Sequence, residues 1–254
     1  MTEAVAAGSD TDQGEVTATC LIDCSGWKGV LASSLDPTYT RHTRLNYGIE
    51  CEVPYRSETI HFYLRPEGKR KEVIWVFPCG EQSRIGIGRY TGYAPLRSRL
   101  KAFMTERGLS LHRVHGGYFP YGFKPPVVGS LFVVGDAGGQ CFPFTGEGIR
   151  SSIYFGLLCA SLVQKIIDRE ISLEEGLHTY RRLILEYRRA FWILHSLQWL
   201  LITLPESLVC QIFRWASHPR LFSYLWQAYE TVVSDRWIPA PPPPEEDLAP
   251  PVLP

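Results

Sequence analysis

The 254 residues carry 26 Lys and Arg against 26 Asp and Glu, so the net charge is zero and leaves no electrostatic footprint for nucleic acid. Hydrophobic residues make up 45%, enough for a substantial core in one large domain or two small ones. Seven cysteines, an odd number with no Cys-x-x-Cys and no secretory signal ahead of them, argue against a disulfide framework or zinc site and for reduced thiols in a cytoplasmic protein.

Residues 1–15 are small and polar and read as a disordered or fraying start. "VTATCLIDCSG" reads as a strand running into a Ser25-Gly26 turn, and "WKGVLASSL" as a short helix after it. Between Arg44 and Tyr90, "LNYGIECEVPY", "ETIHFYL", "EVIWVFP" and "SRIGIGRY" are four short β-type runs with the spacing of an antiparallel meander. "YAPLRSRLKAFMTERG" has helical spacing and a Gly stop, and "HRVHGGYFPYGFKPPVVGS" is extended, its turns set by Gly and Pro. "SLFVVGD" is an apolar run without alternation, which suits a parallel strand covered on both faces. Helical patterns follow over 146–169 and 172–189, from Ala190 to Pro205, and in "ESLVCQIFRWAS" and "RLFSYLWQAYETVVS". The Pro-rich end, 238–254, cannot form a helix or a central strand and reads as a disordered tail.

The chemistry concentrates where "SLFVVGD" ends. Asp136 stands at the carboxyl end of a buried parallel strand, where ligands of such sheets bind, and a carboxylate there accepts hydrogen bonds from polyol hydroxyls. Ala137, Gly138 and Gly139 leave room for close approach. Gly146, Glu147 and Gly148 then open a helix whose bare N–H groups favour negative charge. The plainer alternative is a strand–turn–helix joint in which the Asp only caps a turn.

The run Gly-Asp-Ala-Gly-Gly-x-x-x-Pro-x-x-Gly-Glu-Gly-Ile (residues 135–149) resembles the second flavin-binding motif of FAD-dependent oxidoreductases with the glutathione-reductase-type fold. The resemblance implies that Asp136, beside Gly135 and Ala137, contacts the ribitol, that Gly146, Gly148 and Ile149 lie near the isoalloxazine, and that Pro143 lies along the flavin face. "LIDCSGWKGVLASSL" resembles the strand that ends beside the cofactor in the same superfamily. A narrower resemblance is to the geranylgeranyl reductases, whose substrate domain carries Tyr-x-Trp-x-Phe-Pro followed by Gly-x-Gly. Trp75, Phe77, Pro78, Gly86 and Gly88 match, and Val73 stands where that family has Tyr. On a strand, Val73, Trp75 and Phe77 point to one face and form an apolar wall suited to a long hydrocarbon, although a sheet packing on its own core gives the same pattern.

The superfamily opens with a βαβ unit carrying Gly-x-Gly-x-x-Gly, and no such run followed by a helix occurs in the 254 residues. The chain is therefore expected to resemble the C-terminal portion of such an enzyme. A truncated gene product, a split subunit completed by a partner chain, or a decayed copy would look alike. The expected organisation is α/β (α+β). An incomplete FAD-binding parallel sheet spans 16–43 and 113–170, an antiparallel-sheet substrate region 44–112, and a C-terminal helical region 171–237. The implied activity is reduction of isoprenoid carbon–carbon double bonds with FAD and with NAD(P)H or ferredoxin as electron donor. Alternatives are a flavin monooxygenase or halogenase of the same fold, or a non-catalytic accessory fragment. Neither Cys20 and Cys24 nor His112 and His115 have ligand spacing that makes a metal site, so none is expected. "FWILHSLQWLLITL" is too short and too interrupted to span a bilayer, and reads as a core helix or as a peripheral membrane patch suited to a prenyl-lipid substrate. No catalytic acid or base is assigned, because a flavin ring itself carries the hydride.

Overall fold

A computed structural model describes residues 7–11, 14–41, 43–65, 72–90, 92–93 and 95–233. The Pro-rich stretch 238–254 and the first six residues of the expected disordered start lie outside them.

The run 16–23, expected as one strand, is two. Gly14–Ala18 (β2) pairs antiparallel with Ala7–Thr11 (β1), so part of the start expected to be disordered or fraying is a strand. Gly14, at φ +114°, takes a conformation that side-chain-bearing residues rarely adopt. Leu21–Asp23 (β3) starts afresh and enters another sheet. Val30–Leu35 (α1) follows it after a 3-10 turn at Gly26–Lys28.

The antiparallel region comprises Leu45–Val53 (β4), His61–Arg65 (β5), Glu72–Cys79 (β6) and Gln82–Arg89 (β7). It is not the simple meander expected. β4 lies beside β7 rather than β5, and His115–Pro120 (β8) joins as a fifth strand, giving the order β5-β6-β7-β4-β8. β8 therefore carries the sheet past the expected boundary at residue 112. Between β7 and β8 runs Leu96–Thr105 (α2). One face of the sheet, from Ile49, Cys51, Val53, Ile74, Val76, Ile85 and Ile87, packs on Leu96, Leu100, Phe103 and Met104 of α2. This is the period-2 alternation of a sheet buried on one side.

Val127–Val128 (β9) and Leu131–Val133 (β10) complete a three-stranded sheet in the order β3-β10-β9. β10 runs parallel to β3, Leu21 opposite Leu131 and Asp23 opposite Val133, so both strands end at the same edge. All three β10 residues are buried, as the unalternating run implies. Ile149–Ile167 (α3), Leu173–Glu186 (α4), Arg188–Thr203 (α5), Glu206–Ala216 (α6) and Pro219–Val233 (α7) follow. Phe155, Cys159, Leu162 and Ile166 recur at helical spacing on α3 and meet Phe132, Tyr180, Ile184 and Phe191 in one core. A capping box between Ser172 and Glu175 starts α4.

Candidate functional site

The chain leaves β10 through a 3-10 turn at Gly135–Gly138, with Gly135 at φ +67° and Gly139 at φ +64°. Gly139 packs so tightly that a Cβ there would stand 2.1 Å from the Gly122 carbonyl oxygen. Gln140 braces the loop from inside. Its Oε1 accepts from the Gly135 N–H at 2.6 Å, and its Nε2 donates to the Val133 carbonyl at 3.2 Å. Asp136 is half-buried, its Oδ1 3.7 Å from where a Cβ of Gly148 would be, at the opening of α3. Gly148 is the N-cap with no side-chain cap hydrogen bond, and Ile149 is 81% exposed. No side chain caps the helix start beside the carboxylate.

Two charged residues that sequence reasoning missed support this edge. Asp23, at the end of β3, is buried; it accepts from the Ser25 N–H at 2.9 Å and the Ala32 N–H at 2.8 Å, fixing the turn into α1. Lys124 is 7% exposed, donates to the Ala137 carbonyl at 3.4 Å and lies 5.2 Å from the centre of the Tyr39 ring. Burial pushes the Lys124 ammonium below its ordinary pKa, against Asp136 and Asp23, which hold it up. Burial likewise pushes the Asp136 carboxyl above its ordinary value, against Lys124, which pulls it down. A Lys in a Gly- and Pro-rich stretch carries no local signal of such a role.

Of the other motif residues, Gly135 and Ala137 are buried, Gly148 is half-buried and Gly146 is exposed at φ +70°. Pro143 is buried. The turn from Pro143 to Gly146 is closed by a bridge between Phe142 and Glu147 and held from two sides. Phe144, at φ +70°, donates its N–H to Gln198 Oε1 of α5 at 2.8 Å. Its carbonyl accepts from the Tyr90 hydroxyl at 2.8 Å. Glu147 is tied to Arg150 at 2.6 Å and accepts from the Tyr229 hydroxyl of α7.

Val73, Trp75 and Phe77 lie on the face of the five-stranded sheet opposite α2 and are half-buried, with Pro78 exposed beyond them. The Trp75 indole lies flat on the backbone of three glycines. Its ring atoms come within 2.2 Å of a Cβ position at Gly86, 3.0 Å at Gly88 and 3.4 Å at Gly48. Gly86 and Gly88 are buried beneath it, so the Gly-x-Gly spacing has a local physical purpose: only glycine admits the ring. Trp75 Nε1 donates to Glu50 Oε2 at 3.1 Å, and His115 Nε2 sits 3.0 Å from Glu50 Oε1. Phe77 stacks on Trp75, and Phe62 meets Phe77 edge-on. Phe119 on β8, also missed, joins wall and loop. Its ring lies 3.4 Å from the Gly48 Cβ position, where Trp75 also reaches, and 3.6 Å from that of Gly146.

Digeranylgeranylglycerophospholipid reductase of Methanocaldococcus jannaschii is 33% identical over 134 residues, 48% of this chain and 34% of that protein. The chain spans about a third of the length of the curated relatives it matches. No protein-family model matches it. A Thermoplasma acidophilum protein described as geranylgeranyl bacteriochlorophyll reductase-like superposes with TM-score 0.61 at 19% identity, covering 84% of this chain and 62% of that one. HpxO of Klebsiella pneumoniae, solved with FAD, superposes with TM-score 0.65 at 12% identity, covering 91% and 65%. Over about half of its length the sequence is similar to digeranylgeranylglycerophospholipid and geranylgeranyl reductases, and its α/β fold is similar to that of these two solved structures.

Proposed function

We propose that the chain forms the flavin-ring and substrate portion of an FAD-dependent reductase that saturates carbon–carbon double bonds of a prenyl chain. The observation that carries this reading is the Phe119 ring, which lies against both Gly146 of the Gly135–Ile149 joint and Gly48, where the Trp75 indole also reaches. The residues fit FAD: a half-exposed carboxylate at a strand end stands next to an uncapped helix start. Asp136 would accept hydrogen bonds from ribitol hydroxyls, and the first-turn N–H groups of α3 would stabilise negative charge on the ring. FAD, when bound, supplies the hydride.

The chain's own part is placement and exclusion of water. Val73, Trp75 and Phe77 offer a hydrocarbon contact worth about 0.8 kcal/mol for each CH₂ buried. Val73 in place of Tyr removes a hydroxyl from that wall. The reductase reading precedes the monooxygenase and halogenase ones because the sequence relatives cited above are reductases. A membrane surface fits as the source of a prenyl lipid, since Trp192, Trp199, Trp215, Phe222 and Trp226 are exposed along α5–α7. Among the described residues no helix is long and apolar enough to cross a membrane.

The test is Trp75→Ala in a form that holds FAD, alone or completed with the dinucleotide-binding unit of a relative. Turnover of a C20 prenyl substrate should fall at least ten-fold more than that of a C10 one, since about 1.4 kcal/mol of lost contact is a factor of ten. Equal losses would make Trp75 a packing residue and remove the support for a prenyl substrate.

A further inference from the structure

Asn46 lies on β4 and is 1% exposed, yet its Oδ1 has no hydrogen-bond partner. A buried acceptor left unmade costs the fold its desolvation without return, so each such group in a native structure calls for a reason. The position supplies one. Asn46 is directly opposite Phe119 in the β4–β8 register and alternates with Gly48 and Glu50, which meet the Trp75 ring and its Nε1. It thus belongs to the sheet face that carries Trp75, at the covered end nearest the motif loop. Tyr47 pairs with Arg89, so the next residues, Asn46 and Tyr90, run side by side, and the Tyr90 hydroxyl reaches the Phe144 carbonyl at 2.8 Å. Across that loop Gln198 spends its Oε1 on the Phe144 N–H, and its own buried Nε2 also lacks a partner. Phe144 adds a left-handed backbone at φ +70°, strained for a residue with a side chain. Two unsatisfied buried amides and one strained residue are gathered where the sheet, the glycine loop and α5 meet.

We propose that Asn46 is a ligand-binding residue whose Oδ1 accepts a hydrogen bond from an N–H or O–H donor of the molecule seated between the glycine loop and the aromatic wall. This rests on the functional reading above and adds to it a polar contact that an apolar wall lacks. A hydrocarbon tail has no donor, so the donor belongs either to the flavin, ring or ribitol, or to the polar end of the substrate.

Asn46→Leu keeps the shape and deletes the acceptor. It is tested with riboflavin, which carries the ring and ribitol alone, and with geranylgeraniol, each followed by fluorescence titration of the full chain. The variant should melt roughly 2–4 °C higher, because an unsatisfied buried group is gone. It should bind one probe about ten-fold more weakly. Weakening for riboflavin assigns the donor to the flavin, ring or ribitol, and weakening for geranylgeraniol assigns it to the substrate. A lower melting point would mean that Oδ1 is satisfied within the protein by an internal water, and unchanged affinity for both probes would mean that no ligand reaches it; either overturns the inference and leaves the functional reading standing. An unaltered chain that binds neither probe overturns both. Should Asn46→Leu not fold, the ¹⁵N resonance of the Asn46 side-chain amide must move when the unaltered chain is saturated with a probe, and an unmoved resonance is a refutation.

Discussion

Replacing Gly86 with Ala sets a methyl group where the Trp75 indole lies. A Cβ at Gly86 would stand 2.2 Å from Cε2 and Cζ2 of the ring and 2.6 Å from Nε1. Carbon atoms rest about 3.5–4.0 Å apart, so the ring must lift by roughly 1.3–1.8 Å. The bond from Nε1 to Glu50 Oε2, already 3.1 Å long, does not survive that shift. A hydrogen bond to a charged group contributes about 1.5–3 kcal/mol, taken at the lower end here because Trp75 is half-exposed. Overpacking adds about 1–3 kcal/mol, and removing a strand glycine returns roughly 0.5–1 kcal/mol. The expected net loss is about 1.5–4 kcal/mol, or about 2–4 °C in Tm for each kcal/mol in a chain of this size. Urea unfolding of the parent, Gly86→Ala, Trp75→Leu and the double variant isolates the contact. In the Trp75→Leu background Gly86→Ala should cost little or stabilise slightly. Equal costs in both backgrounds would refute the claim that Gly86 exists to seat the indole.

Asp136→Asn should alter the pH profile of stability. Burial holds the folded carboxyl above its ordinary 3.8, so just above that value the folded chain keeps a proton that the unfolded chain releases, and stability falls as pH rises through the window. The variant should therefore match the parent below pH 3.8, exceed it at neutral pH, and bind riboflavin roughly ten-fold more weakly; melting curves that stay parallel at all pH values contradict this. Gln198→Leu, which strips the Phe144 N–H of its acceptor, should cost about 1–3 kcal/mol in urea unfolding, and Gln198→Glu, which keeps an acceptor, should recover most of it. On flotation with anionic liposomes the folded chain should rise with the vesicles, and replacing Trp192, Trp199 and Trp226 with Gln should leave it at the bottom; a parent chain that never floats rejects the membrane surface. Without a Gly-x-Gly-x-x-Gly unit to hold the pyrophosphate, the chain purified alone should be colourless, and a yellow protein with stoichiometric FAD would show that the 254 residues suffice.

What could be read from the sequence is what short stretches of chain decide by themselves. The unalternating run 131–134, the glycines after it and the helical spacing of 149–167 are local, and together they located the strand–loop–helix joint and Asp136. Alternation likewise put Val73, Trp75 and Phe77 on one face. It could not say which face was covered, because Ile74 and Val76 on the other side are equally apolar; α2 settles that by packing on the latter. The tertiary structure also decided the strand order, in which β4 passes over β5 to reach β7, and recruited β8 with Phe119 to the wall. Lys124, Tyr90, Gln198 and Asn46 gained their places only when segments far apart in the chain closed on one another, as with the separation of 54 residues between Phe144 and Gln198. Local patterns report backbone preference and the spacing of side chains along one element. A buried lysine beside two carboxylates, or an amide with an unmade hydrogen bond, is defined by what surrounds it, and those surroundings come from other elements whose pairing the linear order does not encode.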